Sequence, residues 1–222
     1  MIAGMSDPRL ASLMELAAEH APEKRRKLAV ELCDLLLDWP QNYPLSMREP
    51  FETLLEQTVR LVDRDTRASL IARIADAPGT ALDFLNEFFF DAPDGLRLII
   101  LERNASATPA PNGHAVDEAA LIEALRRHPR DAFAELLATA LDVTVETAAR
   151  ILHDGTGEAL AIAAKGAHLS RAAFSTLALL ADGPGAPEAM LARLAVFENV
   201  PERGAENLMR FWRRHSPDAK AA

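Results

Sequence analysis

A chain of 222 residues with 42 alanines and 32 leucines against 8 valines and 1 tyrosine is biased toward helix and starved of the residues a sheet prefers. Its formal net charge is −9, with 12 basic against 18 acidic side chains in residues 1–112 and 12 against 15 in residues 113–222, which argues against a general binder of nucleic-acid backbones while leaving room for a local basic patch. The single cysteine excludes an internal disulfide and a cysteine-cluster metal site, and no stretch of 18 residues is apolar enough to cross a bilayer.

Asp7 or Ser6 can cap a first helix that carries Leu10, Leu13, Met14 and Ala17 inward and ends near His20. The opening MIAGMSDPRL lacks a basic head followed by an apolar core, so no secretory signal is expected and the cytoplasm is the expected location. Pro22 opens a second helix that runs to about Leu37. Its head, EKRRK, places cations where the helix dipole disfavours them, a mild pointer to an acidic contact; a solvated turn beside Glu19 and Glu23 is the plainer account. Cys33 lies within LAVELCDLLL and reads as a buried small hydrophobe.

The segment WPQNYPLS, residues 39–46, is a loop in which Trp39 and Tyr43 seal the edge of the core. Ser46, with Glu49 three residues on, fits a capping box opening a long helix through Val62, with Phe51, Leu54, Leu55, Thr58, Val59 and Val62 as its stripe. From Asp65 to Arg103 the chain reads as three short helices joined by DAPG and DAPDG. Leu70, Ile71, Ile74 and Ala75 share one face of the first; Leu82, Leu85, Phe88 and Phe89 share one face of the second, with Phe84 alongside. Helices of about ten residues do not hold in water alone. Each must lay its apolar face on the next, which is the logic of stacked helical repeats.

Residues 104–114, NASATPAPNGH, are small, polar and proline-rich, and predict a linker between an N-terminal helical lobe, 1–103, and a C-terminal one, 115–222. Beyond the linker, helices are expected over residues 116–127, 129–141, 144–153, 157–167, 170–181, 187–197 and 201–215. A weak internal repeat aligns AELLATALDVTVETAARIL (134–152) with LAIAAKGAHLSRAAFSTLA (160–178) at an offset of 26. Thr144 then matches Ser170 as a helix cap, and Val143 matches Leu169 just before it.

These two segments have the shape of helix-turn-helix units, whose second helix would enter a major groove. The exposed faces offer Glu146, Thr147 and Arg150 in one and Arg171, Ser175 and Thr176 in the other, a thin supply of base readers. DGTGEAL, residues 154–160, sets two glycines at a helix start where anions can bind, but it lacks the third glycine, the preceding strand and the lysine of a phosphate loop. A glycine-assisted stop between helices is the simpler reading. The histidines at 20, 114, 128, 153, 168 and 215 fall at helix ends, turns or the linker, and none pairs with another histidine or a carboxylate at metal-ligand spacing. No metal and no cofactor is therefore expected. With no G-x-S-x-G and no cysteine–histidine signature, no catalytic residues are assigned and the chain reads as not an enzyme. Phe90, off the main face of its phenylalanine-rich helix, is a candidate docking spot for a partner. MRFWRRH, residues 209–215, interleaves aromatics with arginines as some nucleic-acid binders do, although packing of a last helix with a basic final turn is simpler.

Two stretches resemble a mostly alphaproteobacterial family designated domain of unknown function 2336. One is residues 31–85, where D-L-F/L-L-D, a long helix, R-x-x-L-x-x-R-I/L-A and a proline-led helix follow in the family's order; Arg67, Leu70, Arg73 and Pro78 fall on its recurring positions. The other is residues 149–180, similar to the family's DxSGExLAxxxxAxGLxR rhythm. The resemblance implies HEAT-like helical repeats and no assigned catalytic residues.

The expectation is thus an all-α chain of HEAT-like antiparallel helix pairs, solenoid-like, in two lobes. It is expected to act as a non-catalytic protein–protein interaction module, regulatory or scaffolding, with Arg67, Arg73, Phe90, Arg150 and Arg171 as partner-contact candidates. A protein partner is expected, homo-oligomers are compatible, and no membrane role is foreseen. The alternative is a DNA-binding regulator using segments 134–152 and 160–178.

Overall fold

The computed structural model describes residues 8–75, 82–108, 116–182 and 187–214. Thirteen α-helices account for most of them: α1 (Pro8–Ala18), α2 (Pro22–Leu37), α3 (Arg48–Arg60), α4 (Arg64–Ala75), α5 (Leu82–Glu87), α6 (Asp94–Ser106), α7 (Glu118–Arg127), α8 (Phe133–Leu141), α9 (Val145–His153), α10 (Glu158–Gly166), α11 (Arg171–Asp182), α12 (Pro187–Asn199) and α13 (Glu202–Arg214). Short 3-10 turns lie at Leu45–Met47, Phe89–Asp91 and Arg130–Ala132, and no strand occurs among the described residues. The all-α expectation holds. No described helix is long and apolar enough to cross a membrane.

Contacts divide the chain into residues 1–97 and 98–222, a division that falls inside α6 between Arg97 and Leu98. Of the segment read as a linker, Asn104, Ala105 and Ser106 form the last turn of α6, and residues 109–115 lie outside the described residues. Asn104 is buried there because its side-chain amide returns to the Ile100 carbonyl at 2.8 Å, and its own carbonyl accepts from Asn207 at 2.7 Å.

In the first unit α2 is the centre, packed by α1, α3 and α4. Its buried stripe is Leu28, Ala29, Leu32, Cys33, Leu35 and Leu36. Burial pushes the Cys33 thiol up to about 11, with nearby Arg73 partly opposing, so the sulfur stays protonated at neutral pH and packs as the small hydrophobe expected. Trp39 meets Tyr43 and Phe51 edge-on at 5.7 and 5.9 Å, closing the loop onto α3. The capping box at Ser46 does not form. Ser46 sits inside the 3-10 turn, whose own carbonyls at Pro44 and Leu45 take the amides of Met47 and Arg48, so α3 grows out of the turn without a side-chain cap.

The next start is capped as chemistry prefers. Asp63 accepts from the Thr66 amide at 2.9 Å, the Thr66 hydroxyl at 2.7 Å and Arg26 at 2.8 Å. These hydrogen bonds, the Thr66 amide foremost, hold its carboxyl well below the usual carboxylate range. A depressed carboxylate stabilises the fold in full above its unfolded pKa of about 3.9 and loses that contribution as pH falls from there toward the folded value. The thermal midpoint of Asp63→Asn is therefore expected to lie below that of the parent at pH 7, and the gap to narrow at pH 3. A gap that stays constant or widens on acidification would refute this assignment.

In the second unit α10 is enclosed, with α9, α11, α12 and α13 around it and Ala159 to Ala164 and Gly166 buried. α13 buries Gly204, Ala205, Asn207, Leu208, Met209, Phe211 and Trp212 on one side. Phe174 stacks on Phe197 at 4.7 Å, and Lys165 lies over the Phe197 ring while donating to the Glu198 and Val200 carbonyls at the end of α12.

Candidate functional site

The aligned segments 134–152 and 160–178 contain the same turn twice. After α8, Asp142 adopts φ 59° and the Val143 amide bonds to the Ala138 carbonyl at 3.1 Å; after α10, His168 adopts φ 57° and the Leu169 amide bonds to the Ala164 carbonyl at 2.8 Å. Each is a left-handed helix stop followed by a buried apolar residue and then a hydroxyl cap. Thr144 accepts from the Thr147 amide at 2.9 Å and Ser170 from the Ala173 amide at 3.1 Å.

α13 meets both turns and brings a different charge to each. Near its end Arg213 donates to the Leu141 carbonyl at 2.9 Å, its pKa lowered by burial with the Asp142 charge partly opposing. Near its start Glu202 and Glu206 face the His168 ring, Glu202 3.8 Å from Nδ1 and Glu206 3.7 Å from Nε2. Among the described residues this is the histidine–carboxylate group that could hold a metal ion. Sequence spacing alone did not join them: Glu202 and Glu206 are legible as neighbours one helical turn apart, but His168 lies 34 positions before Glu202 and on another element.

The five partner-contact candidates fall in different settings. Arg67 points into the fold: it donates to the carbonyls of Val59, Arg60 and Val62 at 3.2, 3.4 and 3.1 Å and to Asp91 at 3.1 Å. Arg73 pairs with Asp34 of α2. Phe90 is half-buried and meets Phe89 edge-on at 5.6 Å, while its carbonyl accepts from Arg97. Arg150 is half-buried on α9. Arg171 is exposed and pairs with Glu198 at 2.8 Å. Arg67, Arg73 and Phe90 belong to the first unit, Arg150 and Arg171 to the second.

The profile of domain of unknown function 2336, described as an uncharacterised protein conserved in bacteria, matches residues 44–210. The chain belongs to this family. No curated protein and no solved structure matches it.

The positions that carried the resemblance to domain 2336 are structural in three described cases: Arg67 closes the end of α3, Leu70 is buried in α4, and Arg73 ties α4 to α2. Pro78 lies outside the described residues. In the second family stretch the DGTG turn supplies its own anion. The Asp154 carboxylate accepts from the Thr156 hydroxyl at 2.7 Å and the Ala159 amide at 3.0 Å, occupying the α10 start where a phosphate would sit. Gly157, at φ 73°, makes the sharp entry. The basic head of α2 is partly balanced within the fold, Lys24 by Glu19 and Arg26 by Asp63. In MRFWRRH, Phe211 and Trp212 are buried and Arg210 donates to Asn207, so that segment is packing; His215 lies outside the described residues.

A cleft of about 410 Å³ opens between the start of α8 and the end of α9, lined by Arg130, Asp131, Phe133, Leu152 and His153 among others. His153 turns Nδ1 back to the Ala149 carbonyl at 2.7 Å, and the lining Asp154 is already committed as a cap.

Proposed function

We propose that this member of the family is a non-catalytic, cytoplasmic helical module that presents its outer faces to a protein partner in a regulatory or scaffolding role. The reading rests on where the inward polar groups go. Arg67, Arg97, Asn104, Asn207 and Arg213 all hold helix ends or neighbouring carbonyls, and the buried ones are spent on architecture rather than gathered around a cavity. The twin turns at a 26-residue offset support helix pairs of HEAT-like type, in which outward faces are the natural contact surface.

The DNA-binding alternative draws less support. The start of α11, which would approach a groove, is occupied by Glu118 of α7, whose carboxylate accepts from the Ser170 amide and hydroxyl, and Arg171 is already paired. A carboxylate at that helix start repels a phosphate. The test uses the full chain as bait in its native extract, then purified bait and captured protein together in sizing chromatography. A stoichiometric complex weakened by Arg171→Glu supports the module. Salt-sensitive binding to random duplex in a low-salt gel shift, lost in Arg150→Glu and Arg171→Glu, would replace it with the DNA reading.

A further inference from the structure

We propose that His168, Glu202 and Glu206 form a surface site for one first-row divalent cation of the Zn²⁺ class. Glu202 and Glu206 sit one turn apart on the same face of α13, where like charges repel. Among the described residues neither carboxylate has a lysine or arginine partner; what faces both is the His168 ring, at 3.7 and 3.8 Å, too far for a hydrogen bond. One atom from each of the three residues already lies within 4.8 Å of the others. Ligands on a tetrahedral Zn²⁺ with bonds of roughly 2.0–2.2 Å stand about 3.3–3.6 Å apart, so a side-chain turn at exposed Glu202 closes the set.

The twin turn shows what the fold does elsewhere. At the α8–α9 turn α13 brings a cation of its own, Arg213, to the Leu141 carbonyl. At the α10–α11 turn it brings two carboxylates and the turn brings an imidazole, a donor set of one nitrogen and two oxygens that lacks a fixed positive charge. An imidazole with two carboxylates suits Zn²⁺ and its neighbours better than Mg²⁺, which prefers oxygen alone and holds its waters. Three protein ligands leave a coordination position for water. The turn itself is fixed, His168 standing at φ 57° beside the Leu169-to-Ala164 bond, and its ring lies against the α13 carboxylates.

Calorimetric titration of the full chain with ZnCl₂, and in parallel with MgCl₂, tests the site. The expected result is one Zn²⁺ per chain and Mg²⁺ binding at least tenfold weaker. Losing a ligand should cost no less than the roughly 10–100-fold that losing a ligand's outer-shell partner costs, so His168→Asn and Glu206→Gln should each weaken Zn²⁺ binding by at least tenfold. Asparagine tolerates the left-handed turn and glutamine keeps the helix, and circular dichroism confirms that each variant is folded. Should His168→Asn unfold, Glu202→Gln takes its place beside Glu206→Gln. Absence of Zn²⁺ binding, binding untouched by these changes, or Mg²⁺ held as tightly as Zn²⁺ would each overturn the proposal.

Discussion

Gly166→Ala is expected to destabilise the second unit, although alanine is the better helix former. Gly166 ends α10 with an ordinary helical backbone, so it is not there for a left-handed turn. It is there because α13 comes too close: a Cβ on Gly166 would stand 2.6 Å from the Ala205 carbonyl oxygen and would overlap the Met209 side chain. Met209 can yield. The Ala205 carbonyl is backbone within α13 and cannot move without prising the two helices apart. Alanine gains about 1 kcal/mol of helix propensity, while overpacking against backbone costs about 1–3 kcal/mol or more. With a backbone oxygen 2.6 Å away the upper end of that cost applies, and the net expectation is a loss of about 2 kcal/mol for alanine and more for valine, which corresponds to a drop of roughly 4–8 °C in midpoint for a chain of this size. Gly155→Ala is the control, since a Cβ there meets nothing within 4 Å. An alanine at 166 as stable as the parent would mean that α10 and α13 do not approach this closely. Gly204 of α13 makes the same kind of contact against the Leu101 carbonyl of α6, so α13 is seated through two glycine-sized gaps.

Helices were legible wherever apolar residues recur at helical spacing and a proline, glycine or hydroxyl marks the end. Pro22, Thr144, Ser170 and Pro187 all stand where helices begin, and the alignment of Val143 with Leu169 already implied equivalent turns. Local hydrogen-bond chemistry decides such features, and local sequence carries it. The misses are long-range. α10 reads as an ordinary amphipathic segment, yet its alanines and Gly166 let neighbours close in on almost every side, and small residues do not announce which face is buried. The left-handed stop at His168 could not be told from sequence because histidine reaches that conformation less often than asparagine or glycine. The His168, Glu202 and Glu206 group went unseen for the same reason as Asn207 on Asn104, a contact spanning 103 positions: two helices must dock before either residue has a neighbour. Arginine was the least readable residue type. The same side chain serves a surface ion pair at Arg171 and a buried brace at Arg97, which lies over the Phe89 ring and donates to the Ala92 and Phe90 carbonyls.

Arg67 is where the two roles separate by experiment. A partner contact would leave folding stability unchanged on substitution and change only binding. The geometry demands the opposite. The last carbonyls of α3 have no amide partners within their helix, and one guanidinium supplies donors to Val59, Arg60 and Val62 while its remaining edge reaches Asp91 in the turn before α6. Only a planar fork of five donors serves four acceptors in one place, so lysine cannot stand in. The Arg67 and Asp91 side chains are 22% and 16% exposed, so water replaces the lost bonds poorly. Arg67→Met is therefore expected to cost about 2–4 kcal/mol in urea unfolding, from charged hydrogen bonds and a half-buried pair broken on one side. Arg67→Lys should recover only part of that, and Asp91→Asn should cost less than Arg67→Met because the three carbonyls keep their donor. Combining Arg67→Met with Asp91→Asn should give less than the sum of the two, since each change alone already breaks the one ion pair they share. An Arg67→Met chain as stable as the parent would return Arg67 to the surface and make it available to a partner after all.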